Sequence, residues 1–181
     1  MSLDHAFYVE PSSVLNQTFT LNEDESHHAH HVLRMKPGNL IRLLDGNGIG
    51  YTGKIIALGN HISGNIIDMH PQYGENTIPI HLALGIIKKD RFELALEKAT
   101  ELGVQSITPL ILDRCIKRTV NLERSRKQVK VASKQCQRSF FPMINEPAKL
   151  NNWIMATTNE IRIGCFIGRE IPISNVPKLY P

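Results

Sequence analysis

The sequence is poor in cysteine, and it contains no long apolar run. Its three cysteines, Cys115, Cys136 and Cys165, are scattered over 181 residues and form no Cys-x-x-Cys pair. An odd, scattered set argues against a disulfide framework and a thiolate zinc site, and it favours a reducing cytoplasm. No stretch of about eighteen apolar residues occurs, and no basic segment leads into an apolar one at the N-terminus. Neither a membrane-spanning helix nor a signal peptide is therefore predicted.

Common catalytic signatures are also missing. The sequence has no P-loop, no His-Glu-x-x-His and no Gly-x-Ser-x-Gly. Gly46, Gly48 and Gly50 precede a predicted strand, whereas a phosphate-binding glycine loop opens a helix. These glycines are therefore interpreted as hairpin residues, and no catalytic residue is predicted.

The composition is that of a folded chain with a basic excess. Hydrophobic residues make up 41% and charged residues 21%, which suits one or two compact domains. The net charge of +4 and the pI near 9.0 favour an anionic partner. Where the cations lie along the chain matters more than their number.

Residues 1–73 are predicted to form a small, mostly β domain. The Asp45-Gly46-Asn47-Gly48 segment indicates a hairpin, and a helix is expected to open at Asp24 or Ser26 as N-cap. The polar stretch Pro71 to Asn76 is the linker candidate. The predicted strands are Phe7 to Val9, Leu40 to Leu44, Tyr51 to Ala57 and Gly64 to Met69.

Residues 78–181 alternate between strand and helix patterns, which predicts an α/β domain with a parallel sheet. Asp90 is expected to cap its first helix, with Glu93 completing a capping box. Phe141-Pro142 is expected to break the second helix, and one sheet edge is expected to be open. The strands are Ile80 to Ile87, Ile107 to Leu112 and Ile161 to Ile167; the later helices are Leu122 to Arg138 and Ala148 to Ala156.

A basic segment carries the main functional signal. One acid, Glu123, stands among eight cations: Lys117, Arg118, Arg124, Arg126, Lys127, Lys130, Lys134 and Arg138. Lys127, Lys134 and Arg138 fall near one line of the helix, a repulsive row that suits a polyanion such as RNA. The alternative is a solvated basic face.

Two further clusters have simpler interpretations. Glu93, Glu97 and Glu101 are interpreted as a solvated ridge that meets Lys88, Arg91 or Lys98, because nothing indicates burial. His27 and His31 share a helix face, but no cysteine or carboxylate at ligand spacing except Asp24 completes a zinc site. Partly exposed histidines are therefore favoured, and no metal site is predicted.

Several segments resemble a known family in order and spacing. The segment from His28 to Gly38, with Leu44-Asp45-Gly46, is similar to the PUA-like domain of the ribosomal RNA small-subunit methyltransferase E family. The similarity continues through Lys88 to Glu93, Glu97 to Gly103, and Ile107 to Leu110 with Arg114. It reaches Lys134 to Arg138 and Pro142, so it covers nearly the whole chain.

The resemblance implies a fold and an activity. The fold would be a small N-terminal PUA-like β-barrel domain followed by a SPOUT-type α/β domain, homodimeric in the complete protein. The activity would be S-adenosylmethionine-dependent methylation of N3 of a uridine in 16S rRNA. By resemblance, Arg34 and Lys36 would hold RNA, and Arg114, Gln135 and Arg138 would line the substrate cleft. The predicted RNA-binding set also includes Lys88, Lys127 and Lys134.

The sequence departs from the family pattern in two places. Ala6 stands where the family usually has an arginine before an aromatic pair. The family's Gly-Pro-Glu-Gly loop and Leu-Arg-x-Glu-Thr segment, which form the knot and donor site, do not occur. The expectation is therefore a chain truncated before the knot, with an incomplete α/β domain, no cofactor-binding residue and no activity alone. The rival hypotheses are a non-catalytic RNA-binding module and a small-molecule α/β enzyme with an accessory barrel.

Overall fold

A computed structural model describes residues 3, 5–156 and 161–165. The chain divides into a compact unit, Met1–Leu150, and a second unit, Asn151–Pro181. None of the helices among the described residues has the length and apolar character needed to cross a bilayer.

Six strands form one curled sheet in the first part of the chain, in the order β1-β4-β5-β6-β3-β2. β1 runs parallel to β4, and the other neighbours are antiparallel. Alternation along β4 and β5 directs side chains such as Ile41, Leu43 and Ile55 into an apolar core with Phe7 and Phe19. The strands are β1 (Ala6–Tyr8), β2 (Val14–Leu15), β3 (Thr18–Thr20), β4 (Leu40–Leu44), β5 (Ile49–Ala57) and β6 (Ser63–Pro71).

A second, parallel sheet follows in the same unit. β8 is its central strand, with β7 on one side and the short strands β9 and β10 on the other. Phe92, Leu96, Ile107 and Val129 form its core with neighbouring apolar residues. The elements are β7 (Ile80–Gly85), α2 (Lys89–Glu101), β8 (Val104–Ile111), α3 (Leu122–Gln135), β9 (Met143–Ile144) and β10 (Ala148–Lys149). The next helix, α4 (Leu150–Ala156), belongs to the second unit from Asn151 onward. The expectation of an α/β chain with a small β domain and a parallel sheet is confirmed.

The first helix, α1 (Glu23–His27), begins earlier than predicted. Its N-cap is Asn22, whose Oδ1 accepts the N–H of Glu25 at 2.9 Å, so the prediction of Asp24 or Ser26 was wrong. Ser26 is buried, and its Oγ accepts the N–H of Ile62 at 2.8 Å. A π-helical turn, His28–Val32, continues the helix.

The predicted capping box of α2 was also wrong. The N-cap is Lys88, and no side chain caps this end. Glu93 instead forms an ion pair with Arg124 of α3, with Oε1 2.8 Å from Nε. An ion pair between α2 and α3 thus replaces the predicted hydrogen bond of Glu93 within the helix cap.

The end of α3 differs from the prediction for a local reason. Gln137 adopts a φ of +59°, the N–H of Arg138 donates to the carbonyl of Ser133 at 2.9 Å, and that of Gln137 donates to Lys134. This Schellman motif ends the helix at Gln135, before Phe141-Pro142.

The prediction of a strand from Ile161 to Ile167 was wrong for its described part. Residues 161–165 have no regular secondary structure, and 166 and 167 lie outside the described residues. Among the described residues, the two-residue strands β9 and β10 pair with that side of β8, and they are too short to show a periodic pattern.

Candidate nucleic-acid interface

The outer face of α3 presents cations to solvent. Asn121 starts the helix, since its Oδ1 accepts the N–H of Arg124 at 2.9 Å. Arg126 and Lys127 are exposed, as are Lys117 and Arg118 before the helix. Lys127 contacts Glu123 at 2.8 Å, and this hydrogen bond raises the pKa of the lysine. Because both side chains are over three-quarters exposed, water screens the pair and an RNA phosphate can replace the carboxylate.

Another side of α3 packs against the β domain. Lys130 Nζ lies 3.5 Å from the centre of the Tyr8 ring, a cation–π contact. Burial lowers the pKa of Lys130, and Lys134 adds to this while Glu25 opposes it. Lys134 Nζ lies 2.7 Å from Oε1 of the buried Glu25. These two lysines therefore contact protein groups, and Lys134, a member of the row predicted with Lys127 and Arg138, is paired with a carboxylate.

Arg138 is 2% exposed and lies inside the protein. Its Nη2 is 2.6 Å from Oε2 of Glu75, and its Nη1 donates to the carbonyls of Thr100 and Val104. Oε1 of Glu75 accepts the N–H of Phe140 at 2.8 Å. The predicted contact of Arg138 with RNA would require this ion pair to open. Glu75 was assigned only to a linker, so the sequence interpretation missed its role.

The predicted RNA-binding residues of the β domain lie on a loop whose backbone is fixed by a hydrogen bond. Arg34 has a φ of +54° after the π-helical turn, and both Arg34 and Lys36 are exposed. The N–H of Lys36 donates to Oδ1 of Asn39 at 2.9 Å. The loop backbone is therefore fixed while both charged groups face solvent.

Lys88 and Arg114 follow adjacent parallel strands. β7 ends at Gly85, which pairs with Leu110 near the end of β8, and the N–H of Ile86 donates to the carbonyl of Leu110. Lys88 and Arg114 are therefore at the carboxyl edge of the sheet, where open α/β sheets bind ligands. Both are exposed, as is Gln135 at the end of α3.

A cleft of about 330 Å³ lies at this edge, between the first turns of α2 and α3. Lys89, Lys117 and Arg124 contribute its cations. The sequence interpretation did not select Lys89, although its position just after a predicted strand was a usable signal. The lining also includes Ile86, Ile87, Phe92, Glu93, Thr119, Val120, Asn121 and Ser125.

Glu93 of the predicted acidic ridge lines this cleft beside Arg124, whereas Glu97, Glu101 and the histidines are not among its lining residues. Lys98 Nζ contacts both Glu97 and Glu101 at 2.9 Å, as the ridge interpretation predicted. His27 and His31, with ring centres 4.6 Å apart, line a polar cleft of about 390 Å³ with Glu23 and Asp24. Within residues 5–156 and 161–165, no group of three or more potential ligands is placed to hold a metal.

The chain matches two family models. Residues 74–179 match an RNA methyltransferase domain, and residues 21–63 match an RNA methyltransferase PUA domain. A ribosomal RNA small subunit methyltransferase E from Rickettsia conorii is 32% identical over 157 residues, covering 84% of this chain and 63% of the relative. The chain belongs to the family of the RNA methyltransferase domain that residues 74–179 match.

Other members agree with this assignment. The methyltransferase E of Buchnera aphidicola from Acyrthosiphon pisum is 29% identical, with 81% of this chain and 60% of the relative covered. A Neisseria gonorrhoeae family structure bound to S-adenosylmethionine has a TM-score of 0.77 and 28% identity, covering 86% of this chain and 66% of that one. The match thus spans about three-fifths of the length of these curated relatives.

Proposed function

We propose that this chain holds 16S rRNA for an S-adenosylmethionine-dependent methyltransferase that modifies N3 of a uridine. The observation that carries the proposal is the set of solvent-facing cations on and before α3, in a member of an rRNA methyltransferase family. Arg34 and Lys36 add charge on the β domain, and Lys88 and Arg114 add charge at the sheet edge. Phosphate contacts by such residues give affinity with little sequence preference.

Fluorescence anisotropy with a labelled 16S rRNA fragment tests RNA binding. The logarithm of the binding constant is expected to fall linearly with the logarithm of salt concentration, by about 0.7 per contacted phosphate of a single strand. The double variant Arg126→Gln/Lys127→Gln removes two contacts and should reduce this slope by about 1.4. Lys54→Gln, at an exposed position on β5, is the matched control and should leave the slope unchanged. Absent or salt-independent binding would contradict the proposal.

The described clefts fit the methyl donor poorly. S-adenosylmethionine carries a positive sulfonium, whereas the cleft between α2 and α3 is lined by three cations, and its one carboxylate is paired with Arg124. The histidine cleft has no apolar side chain on which an adenine can pack. The 181 residues also lack the Gly-Pro-Glu-Gly and Leu-Arg-x-Glu-Thr segments.

We therefore propose that the 181 residues alone neither bind the donor tightly nor transfer methyl groups. Isothermal titration calorimetry with S-adenosylmethionine should show no micromolar binding, with a complete family member as positive control. Micromolar binding to this chain would disprove this part of the proposal without affecting RNA binding.

A non-catalytic RNA-binding module is the second candidate, and it shares the exposed cations and the poor donor fit of the 181 residues. The two candidates differ in the activity of the whole protein. A radiolabelled-methyl assay on small ribosomal subunits, using the protein expressed from its gene, separates them. The resemblance also supports cytoplasmic action and a homodimer of the complete protein, and light scattering is the measurement for the dimer.

A further inference from the structure

We propose that the cleft between α2 and α3 binds the phosphate group of a nucleotide and packs the nucleoside on its apolar floor. The inference deepens the proposed function, on which it rests for RNA as the source of the nucleotide. A free mononucleotide carries the same chemistry and is the other possible source.

The cleft lies at the carboxyl edge of the parallel sheet. Ile86, the first residue after β7, forms part of its wall and is tied to β8 by the N–H bond to Leu110. Ligands of open α/β sheets bind outside this edge, because the loops and helix starts that follow the strands converge there. The backbone of Ile86 in the cleft is therefore fixed by the sheet.

The charges of the lining select an anion. Glu93 is the lining carboxylate, and Arg124 holds it at 2.8 Å. Lys89 and Lys117 are exposed, and within the part of the chain that the structure describes neither has an ion-pair partner. Two ammonium groups that line the cleft are thus available for a ligand, and a phosphate is an acceptor that suits such donors.

The floor is apolar, which distinguishes the cleft from a surface patch of lysines. Ile86 and Phe92 are each 5% exposed, and Val120 packs against the same core. Ile87, which also lines the cleft and is 42% exposed, offers apolar surface that a base or ribose can cover. The volume of about 330 Å³ falls at the lower end of the range for small-molecule sites and suits one nucleotide.

The N-termini of the two helices add to the positive electrostatic potential of the cleft. α2 begins at Lys89 without a side-chain cap, and α3 begins just after Asn121, which also lines the cleft. Partial positive charge at both helix starts favours an anion. This effect reinforces the two lysines and the apolar floor, which carry the inference.

NMR titration of the 181-residue chain tests the proposal. Uridine 5′-monophosphate is the probe, and uridine is the matched ligand without phosphate. The monophosphate should shift the backbone amides of the cleft, including those of Lys89, Val120 and Asn121. Uridine should bind about tenfold more weakly, because it makes no charged contact.

Variants locate the site. Lys89→Gln and Lys117→Gln should each weaken binding of the monophosphate by about tenfold. Lys54→Gln on β5 should leave it unchanged. Both cleft lysines are exposed, so these substitutions leave the packed core intact.

The outcomes separate this inference from the proposed function. If cleft amides do not move up to about 10 mM monophosphate, or if uridine binds equally well, the phosphate site is disproved. If the 16S rRNA fragment binds but Lys89→Gln and Lys117→Gln bind the monophosphate as tightly as the wild type, the site is disproved and RNA binding stands. If the monophosphate binds the cleft but the fragment does not bind, the site stands and RNA is not its source.

Discussion

At the scale of single residues, neighbouring groups divide the cations of α3 and of the turn after it into two sets. Lys127 remains in solvent beside Glu123, whereas Lys134 meets the buried Glu25. Arg138 pairs with Glu75, which lies 63 positions away in the sequence. Helical spacing places these three cations near one line, but it carries no information about an acid in another segment. The basic character of the helix was therefore predictable from the sequence. Which cations are exposed and which pair with a buried carboxylate was not.

The Glu75–Arg138 ion pair is expected to be strongly coupled. Arg138→Gln leaves the Glu75 carboxylate buried without a cation, which should cost about 3–5 kcal/mol of unfolding free energy. The double variant Glu75→Gln/Arg138→Gln should lose less unfolding free energy than the two single variants lose together. The difference should be at least about 1 kcal/mol. Urea denaturation followed by circular dichroism measures all three free energies.

Lys127→Gln is the control for this cycle, because its ion pair with Glu123 is exposed and the variant should unfold like the wild type. Additive losses from the two buried substitutions would show that the contact is not energetically coupled.

At the scale of the elements, local patterns predicted most strands and helices but placed the helix ends poorly. Asn22, Asp24 and Ser26 are all good N-cap residues, so composition does not choose among them. The tertiary structure excludes Ser26 as the cap, because its buried hydroxyl oxygen accepts a hydrogen bond from the N–H of Ile62. At α2, the contact of Glu93 with Arg124 similarly replaces a local cap.

The start of α1 provides a direct test. Asn22→Ala removes the acceptor of the Glu25 N–H and should lower the unfolding free energy by about 1 kcal/mol. Asp24→Asn removes only a favourable charge in the first turn and should cost about 0.3 kcal/mol. Urea midpoints of the two variants measure the difference. A larger loss for Asp24→Asn would contradict the assignment of Asn22 as the cap.

At the scale of the whole molecule, contacts along α3 join the β domain to the parallel sheet within Met1–Leu150. Lys130 contacts Tyr8, Lys134 contacts Glu25, and the Phe141 ring lies 5.6 Å from the Tyr8 ring. The predicted linker, Pro71 to Asn76, contributes the buried carboxylate of Glu75. Such contacts make independent unfolding of the two sheets costly.

Native-state hydrogen exchange in increasing urea should therefore show one cooperative unit. The slowest amides of β5 and β8 should reach the same opening free energy and the same urea dependence, because one global unfolding event exposes both. Amides of α4, which has no buried residue, should exchange faster and serve as the internal comparison. Exchange of β8 at clearly lower urea than β5 would show that the sheets unfold separately.

Patterns within short stretches of sequence determined the α/β class, the Asp45 to Gly48 hairpin, the basic α3 and the family resemblance. Each depends on residues close together in the chain, where periodicity and turn chemistry act. The tertiary structure decided that Arg138 is buried on Glu75, that Lys130 and Lys134 contact the β domain, and that Lys89 and Lys117 share a cleft. These outcomes depend on which distant groups meet once the apolar cores are packed, because burial and pairing are properties of that packing.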